Sequence, residues 1–158
     1  MKLYVNECGD YRVAADDLVI RCAQGAIAKR FRLGSPVMSS PAHTKDFLRL
    51  RLGHLDHEVF GCLYLCNRHR LIAAEDLFRG TIDGASVHPR EVVRSVLQHA
   101  AAAVVLYHNH PSGTATPSRA DELITMKLRD ALSLIEVRLL DHLIVGESIY
   151  SFAENGLM

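Results

Sequence analysis

Val104–Asp121 reads VVLYHNHPSGTATPSRAD, and the change of residue type within it decides the fold. The apolar run Ala100–Tyr107 predicts a buried strand. It gives way abruptly to His108-Asn109-His110-Pro111-Ser112-Gly113. In extended backbone, residues two apart share a face, so His108 and His110 point one way and Asn109 the other. Pro111 supports this by keeping the preceding residue out of the helical region. Asp121 follows one turn into a predicted helix. Two imidazoles on a strand face and a carboxylate from the next helix make three ligands for Zn2+ and leave a fourth position for water, the ligand count of a catalytic rather than a structural site. A second reading stands beside it: Ser118-x-x-Asp121 is also a helix-capping signature, and nine histidines in the chain make close pairs less rare.

The composition bounds what the chain can be. Its 158 residues suit one ordinary domain, and 49% apolar residues suffice for a core. Eighteen basic and eighteen acidic residues give a formal net charge of zero, which argues against nucleic acid as the main ligand, since such binders carry a basic excess or stripe. Met1–Asp17 is polar and of mixed charge, unlike a signal peptide. No apolar run approaches the roughly 18–20 residues of a membrane span. Cys8, Cys22, Cys62 and Cys66 do not form a disulfide framework in a chain of this length, and reduced thiols in the cytoplasm are the expectation. Oligomeric state is not legible.

Away from the central stretch, residues 1–36 read as an N-terminal extension with a helix over Ala14–Phe31. Lys29, Arg30 and Arg32 suit that helix's C-terminal end. Gly34-Ser35-Pro36 and Ser39-Ser40-Pro41 read as a linker. Ser40 as N-cap and Pro41 at the first helical position predict a helix ending at Gly53. Val59–Cys66 and Leu71–Phe78 predict a hairpin turning at Asn67–Arg70. Gly80-Thr81 and Asp83-Gly84 break the chain. Pro89 opens a helix with Val92, Val93, Val96 and Leu97 at helical spacing, and Ala120–Leu132 predicts another. Ile135–Val145 and Ile149–Phe152 predict strands. Interleaved helices and strands make the class α/β with a mixed sheet.

A hydrolase built on such a site needs a base that takes a proton from water and hands it to the leaving nitrogen. Glu58 and Glu75, near strand ends of the hairpin, are the two candidates. Ser118 could donate to an oxyanion, or could serve only as the helix N-cap. Asp141-His142 cannot form a dyad on one face, because adjacent strand residues point oppositely. Cys62 and Cys66 read as small core residues. His88 and Arg90 sit at a helix start that could edge the site. The contiguous His-Asn-His is unlike HNH nucleases, whose residues are dispersed over a hairpin and helix.

His108-x-His110-Pro111 followed by Pro117-Ser118-x-x-Asp121 resembles the metal motif of the JAB/MPN (JAMM) metallopeptidases. Val87–Val92, His108–Gly113, Thr116–Asp121 and Leu140–Gly146 together are similar to one bacterial branch, the RadC family. The resemblance covers about residues 37–158. It implies a JAB/MPN domain there, with a mixed curved sheet flanked by helices and related in outline to cytidine deaminases. It implies zinc on His108, His110 and Asp121, a catalytic glutamate at Glu58 (in Glu58-x-x-Gly61-x-Leu63), and an oxyanion-assisting serine at Ser118. The chain departs from longer members in residues 1–36, which show no Gly-containing hairpin of the helix-hairpin-helix type. The leading functional expectation is a zinc-dependent hydrolase of amide, peptide or isopeptide bonds acting on a peptide or protein conjugate. A non-catalytic MPN-like or DNA-repair-associated accessory protein is the alternative, and a metal-dependent nuclease is disfavoured by the neutral charge.

Overall fold

The computed structural model describes residues 4–7, 10–32, 41–80 and 87–158. Ser40, the linker over residues 34–40 and the breaks at Thr81 and Asp83-Gly84 lie outside the described residues, as do the side chains of Lys29, Arg30 and Arg32.

The N-terminal part holds a hairpin that periodicity did not anticipate, β1 (Tyr4–Glu7) paired antiparallel with β2 (Asp10–Val13). Strands this short present too few residues for an alternating pattern to stand out. Helix α1 (Asp16–Arg32) follows, close to the expected bounds, and Gln24 Nε2 ties it to α2 by donating to the Leu50 carbonyl at 3.1 Å.

The main body is a five-stranded mixed sheet in the order β4-β3-β5-β6-β7, flanked by helices, as the interleaved pattern predicts. The hairpin is β3 (Val59–Leu65) with β4 (Leu71–Arg79). Strand β5 (Ala103–Asn109) pairs antiparallel with β3 and parallel with β6 (Arg138–Val145), and β7 (Ile149–Ser151) closes the other edge. Several boundaries differ from the sequence expectation. Strand β5 starts at Ala103 rather than Ala100, which has a left-handed φ of 47° in the turn after the helix. Strand β6 starts at Arg138 rather than Ile135, because Glu136 turns the chain with φ 56°. Strands β3 and β7 each end one residue earlier than expected.

Helix α2 (Pro41–Leu52) covers one face of the sheet, burying Phe47, Leu48 and Leu52 against Leu63, Val105, Tyr107 and Val145. Helices α3 (Pro89–Gln98) and α4 (Arg119–Ser133) cover the other, burying Val92, Val96, Leu128 and Leu132 against Cys62, Tyr64, Val104 and Leu106. Truncating one such leucine to alanine would cost about 2–5 kcal/mol. Among the described residues, no helix is long and apolar enough to cross a membrane.

The β5–β6 pair carries an irregularity that bears on the site. Val104 lies beside Leu139, but Val105 lies beside Asp141, leaving Leu140 as an extra residue. A bulge of this kind reverses the facing of every later side chain. His142 therefore lies beside Leu106, on the α3/α4 face, and Leu143 joins the α2 face.

Candidate metal centre

The site forms where β5 ends and α4 begins, at the carboxyl end of a strand paired in parallel, a common place for ligands in α/β sheets. Period two places His108 and His110 side by side on the α3/α4 face, and the His110 N–H extends the β5–β6 ladder by donating to the Val145 carbonyl at 2.9 Å. Two glycines let the loop beyond it fold against the β6–β7 turn. Gly113 has φ 85°, and a Cβ on Gly146 would stand 2.2 Å from the Gly113 carbonyl oxygen. The close approach lets Glu147 N–H donate to that carbonyl at 2.8 Å.

Asp121 reaches the site through its place in the helix cap. Ser118 Oγ accepts from the Asp121 N–H at 3.2 Å, and Ser118 N–H donates back to Asp121 Oδ2 at 2.7 Å, a reciprocal capping box. The Ser118 hydroxyl also donates to Asp121 Oδ2, at 2.6 Å. The capping and ligand readings of Asp121 are therefore compatible: the same bonds that start α4 hold the carboxylate. Asp121 Oδ1 lies 3.2 Å from His108 Nε2, and Oδ2 lies 3.7 Å from His110 Nε2.

The two Nε2 atoms are 2.9 Å apart, and one ligand atom from each of His108, His110 and Asp121 lies within 4.8 Å of the others. His108 is 1% exposed, and the His110 and Asp121 side chains are 19% and 13% exposed. Burial alone would raise the Asp121 carboxyl, but bonds with His108, His110 and Ser118 outweigh it and hold the group well below the usual carboxylate range. The bond with Asp121 raises the His110 pKa despite burial. The donor set fits a divalent cation. His110 Nδ1 is 2.7 Å from the Thr114 carbonyl, which can only accept, so a neutral His110 keeps a bare lone pair on Nε2. Nitrogen and carboxylate ligand atoms converge on one small volume, where a divalent cation could be held.

Glu58 lies just before β3 and is partly exposed. Its negative charge adds to the raised His110 pKa, after the larger effect of the Asp121 bond. Its backbone is clamped. Asn109 Oδ1 accepts from Val59 N–H at 2.8 Å, Asn109 Nδ2 donates to the His57 carbonyl at 2.9 Å, and Gly80 N–H donates to the Glu58 carbonyl at 2.8 Å. Asn109, which sequence reasoning placed only on the opposite face, thus holds the glutamate's segment against the end of β5.

Glu75, the other candidate base, is not brought to the site. It lies on β4 and accepts from the Ser95 hydroxyl at 2.7 Å and pairs with His99 Nε2 at 2.9 Å. Those bonds, the Ser95 one foremost, hold its carboxyl below the ordinary value. His88 makes no side-chain cap bond at the start of α3, and its ring stands edge-on to Phe78 at 6.1 Å. The Arg90 side chain is 85% exposed and pairs with Glu91. Cys62 is buried in the core.

Sequence reasoning missed His142 and Thr125. His142 is fully buried, with Nε2 2.8 Å from His108 Nδ1 and Nδ1 2.6 Å from Thr125 Oγ1. Burial, and then its neighbour His108, hold it well below the ordinary imidazole pKa and so neutral. As expected, it forms no dyad with Asp141, whose carboxylate instead takes the Ser151 hydroxyl and the His142 and Ala153 N–H groups. Phe60 walls the site, 6.0 Å from the His108 ring and 5.5 Å from that of His142. The spacing of Thr125, four residues after Asp121 on a helix, was the available signal.

A mixed sheet between helices, with a cluster of two imidazoles and a carboxylate at the end of a parallel strand, defines an α/β domain carrying a candidate metal centre. The family model described as the RadC-like JAB domain matches residues 38–157, and the chain belongs to that family. It is 64% identical over 121 residues to a UPF0758 protein of Thioalkalivibrio sulfidiphilus, a match covering 77% of this chain and 54% of that protein. A UPF0758 protein of Leptothrix cholodnii is 55% identical over 141 residues, covering 89% of this chain and 63% of the relative. One of Marinobacter nauticus is 48% identical over 157 residues, covering 99% and 70%. The chain thus spans a little over half the length of the first of these relatives.

Proposed function

We propose that this domain hydrolyses amide, peptide or isopeptide bonds, using Zn2+ held by His108, His110 and Asp121. The observation that carries the reading is the convergence of two Nε2 atoms, 2.9 Å apart, with the Asp121 carboxylate at the rim of a partly exposed site. Held by two imidazoles and one carboxylate, zinc would supply a more acidic water, with a pKa of about 7, and a Lewis acid for a carbonyl. Glu58 would take a proton from water on its carboxylate and pass it to the leaving nitrogen. Asn109 holds the Glu58 segment in reach. Ser118 aligns Asp121, and its hydroxyl can turn from Asp121 Oδ2 to a developing oxyanion. The proposed substrate is a peptide or protein conjugate, met in the cytoplasm. The balanced charge leaves nucleic acid outside the proposal as main ligand.

The test is purified protein assayed for bound metal and for cleavage of a panel of peptides and isopeptide-linked conjugates. The expected result is about one zinc per chain, lost in His108→Ala, and a Glu58→Gln variant that keeps zinc while losing turnover by roughly 10²–10⁴. Zinc retained with no cleavage by the wild type would favour a non-catalytic role.

A further inference from the structure

We infer that the cleft between α1, α2 and the edge strand β4 is a second binding site, for a small organic carboxylate with an apolar body. The cleft lies on the α2 face of the sheet, opposite the face that carries the candidate metal centre. It encloses about 730 Å³, within the range of pockets that take molecules of drug-like size. Phe47, Leu50 and Leu55 of the α2 side and Leu71 and Ile72 of β4 give it apolar walls.

Charge sets the sign of the ligand. The lining carries two guanidinium groups, Arg21 and Arg51, and one carboxylate, Asp76, which leaves one positive charge. Asp76 is already engaged. It accepts the Tyr107 hydroxyl at 2.6 Å and faces Arg51 Nε and Nη2, each at 3.0 Å. That side-on pairing leaves Arg51 Nη1 outside the pair, and a guanidinium can take a second carboxylate on its end. The Arg51 side chain is 29% exposed, so the group is reachable from the cleft. Arg21 and His54, both exposed at the rim, have no protein partner among the described residues.

Gly25 supplies the second observation. It lies in the middle of the seventeen-residue helix α1, where glycine costs helix stability relative to alanine. A glycine so placed usually makes room for something packed close. Here a Cβ would meet nothing within 4 Å, so the room serves no described part of this chain. Gly25 instead lines the cleft, one helical turn after Arg21 and on the same face of α1. Ala73 and Ala74 keep the β4 side of the cleft low. An apolar body thus has space between Gly25 and the β4 wall, with its carboxylate on Arg51 and Arg21 beside it.

Calorimetric titration of the full chain tests this, with a chelator present so that no metal can hold the probe. The probes are naphthoate, phenylbutyrate and octanoate, each beside its neutral amide. At least one acid should bind with a Kd below about 1 mM. Its amide should bind about 10–100-fold more weakly, because hydrogen bonds to a charged group are the stronger ones. Arg21→Gln, at an exposed position, should weaken the acid by about 2–5-fold. Gly25→Leu puts a side chain into the cleft from a point where it meets no neighbour. It should abolish binding while Tm stays level or rises, since leucine is the better helix former. Acid and amide binding alike, Gly25→Leu binding like wild type, or none of the three acids binding would each overturn the site. None of these outcomes touches the metal reading, which zinc analysis decides separately.

Discussion

Gly61 of β3 and Tyr107 of β5 compete for one space: a Cβ on Gly61 would stand 2.5 Å from the Tyr107 hydroxyl and 2.3 Å from the Glu75 carbonyl oxygen. That hydroxyl passes over the glycine to donate to Asp76 Oδ1 at 2.6 Å, and Asp76 in turn pairs with Arg51 of α2 at 3.0 Å. Gly61 is thus the gap through which the central strand reaches an ion pair on the sheet's α2 face. Gly61→Ala should destabilise the fold by about 1–3 kcal/mol, the usual cost of overpacking. Chemical denaturation of the pair of proteins checks this. Equal midpoints would mean that the tyrosine moves aside without cost.

Asn109 should matter to both stability and turnover. Its side chain satisfies one buried N–H and one carbonyl on the segment that carries Glu58. Asn109→Ala leaves both unpaired, at about 1–3 kcal/mol. On the proposed mechanism it should also lower turnover more than Asn109→Gln does, with zinc content unchanged. Metal analysis beside single-turnover kinetics separates the two effects. Loss of zinc in Asn109→Ala would show that the clamp supports the ligands rather than Glu58.

Metal should stabilise the fold, because the three ligands come from two separate elements. With free zinc at 100 times its Kd, binding contributes about 2.7 kcal/mol, which raises Tm by roughly 5–10 °C for a chain of this size. A chelator should reverse the shift, and His110→Ala should abolish it. Scanning calorimetry with and without zinc reads this directly, and a wild-type Tm indifferent to zinc would count against the site.

Glu75 should reveal itself in acid rather than in catalysis. Its folded pKa is lowered, first by the Ser95 hydroxyl and then by His99, from an ordinary 4.5. An acid with a lowered folded pKa stabilises the fold above its unfolded pKa and loses that contribution as pH falls through the folded value. Glu75→Gln should therefore be less stable than wild type near neutrality, and the gap should close below about pH 4. Turnover and zinc content should be unaffected at neutral pH. A gap that persists unchanged into strong acid would rule out the carboxylate charge as its origin.

Much of the architecture follows from local pattern. Interleaved apolar periods announce the α/β layers, Pro41 and Pro89 mark helix starts, and period two alone sets His108 beside His110. The capping box between Ser118 and Asp121 is likewise local, since both partners lie within one helical turn. What the sequence by itself could not determine is what depends on register between distant strands. Alternation counted along β6 puts His142 and Leu139 on opposite faces, yet the extra residue Leu140 brings both to the α3/α4 side, so that His142 and not Asp141 meets His108. The surroundings of Glu75 were tertiary for the same reason. Pairing of β3 with β5 sets Phe60, two residues after Glu58, beside His108, whereas Glu75 on β4 is left with Ser95. Side-chain period is a property of one segment, whereas a bulge or a pairing belongs to two, and only the folded sheet brings those two together.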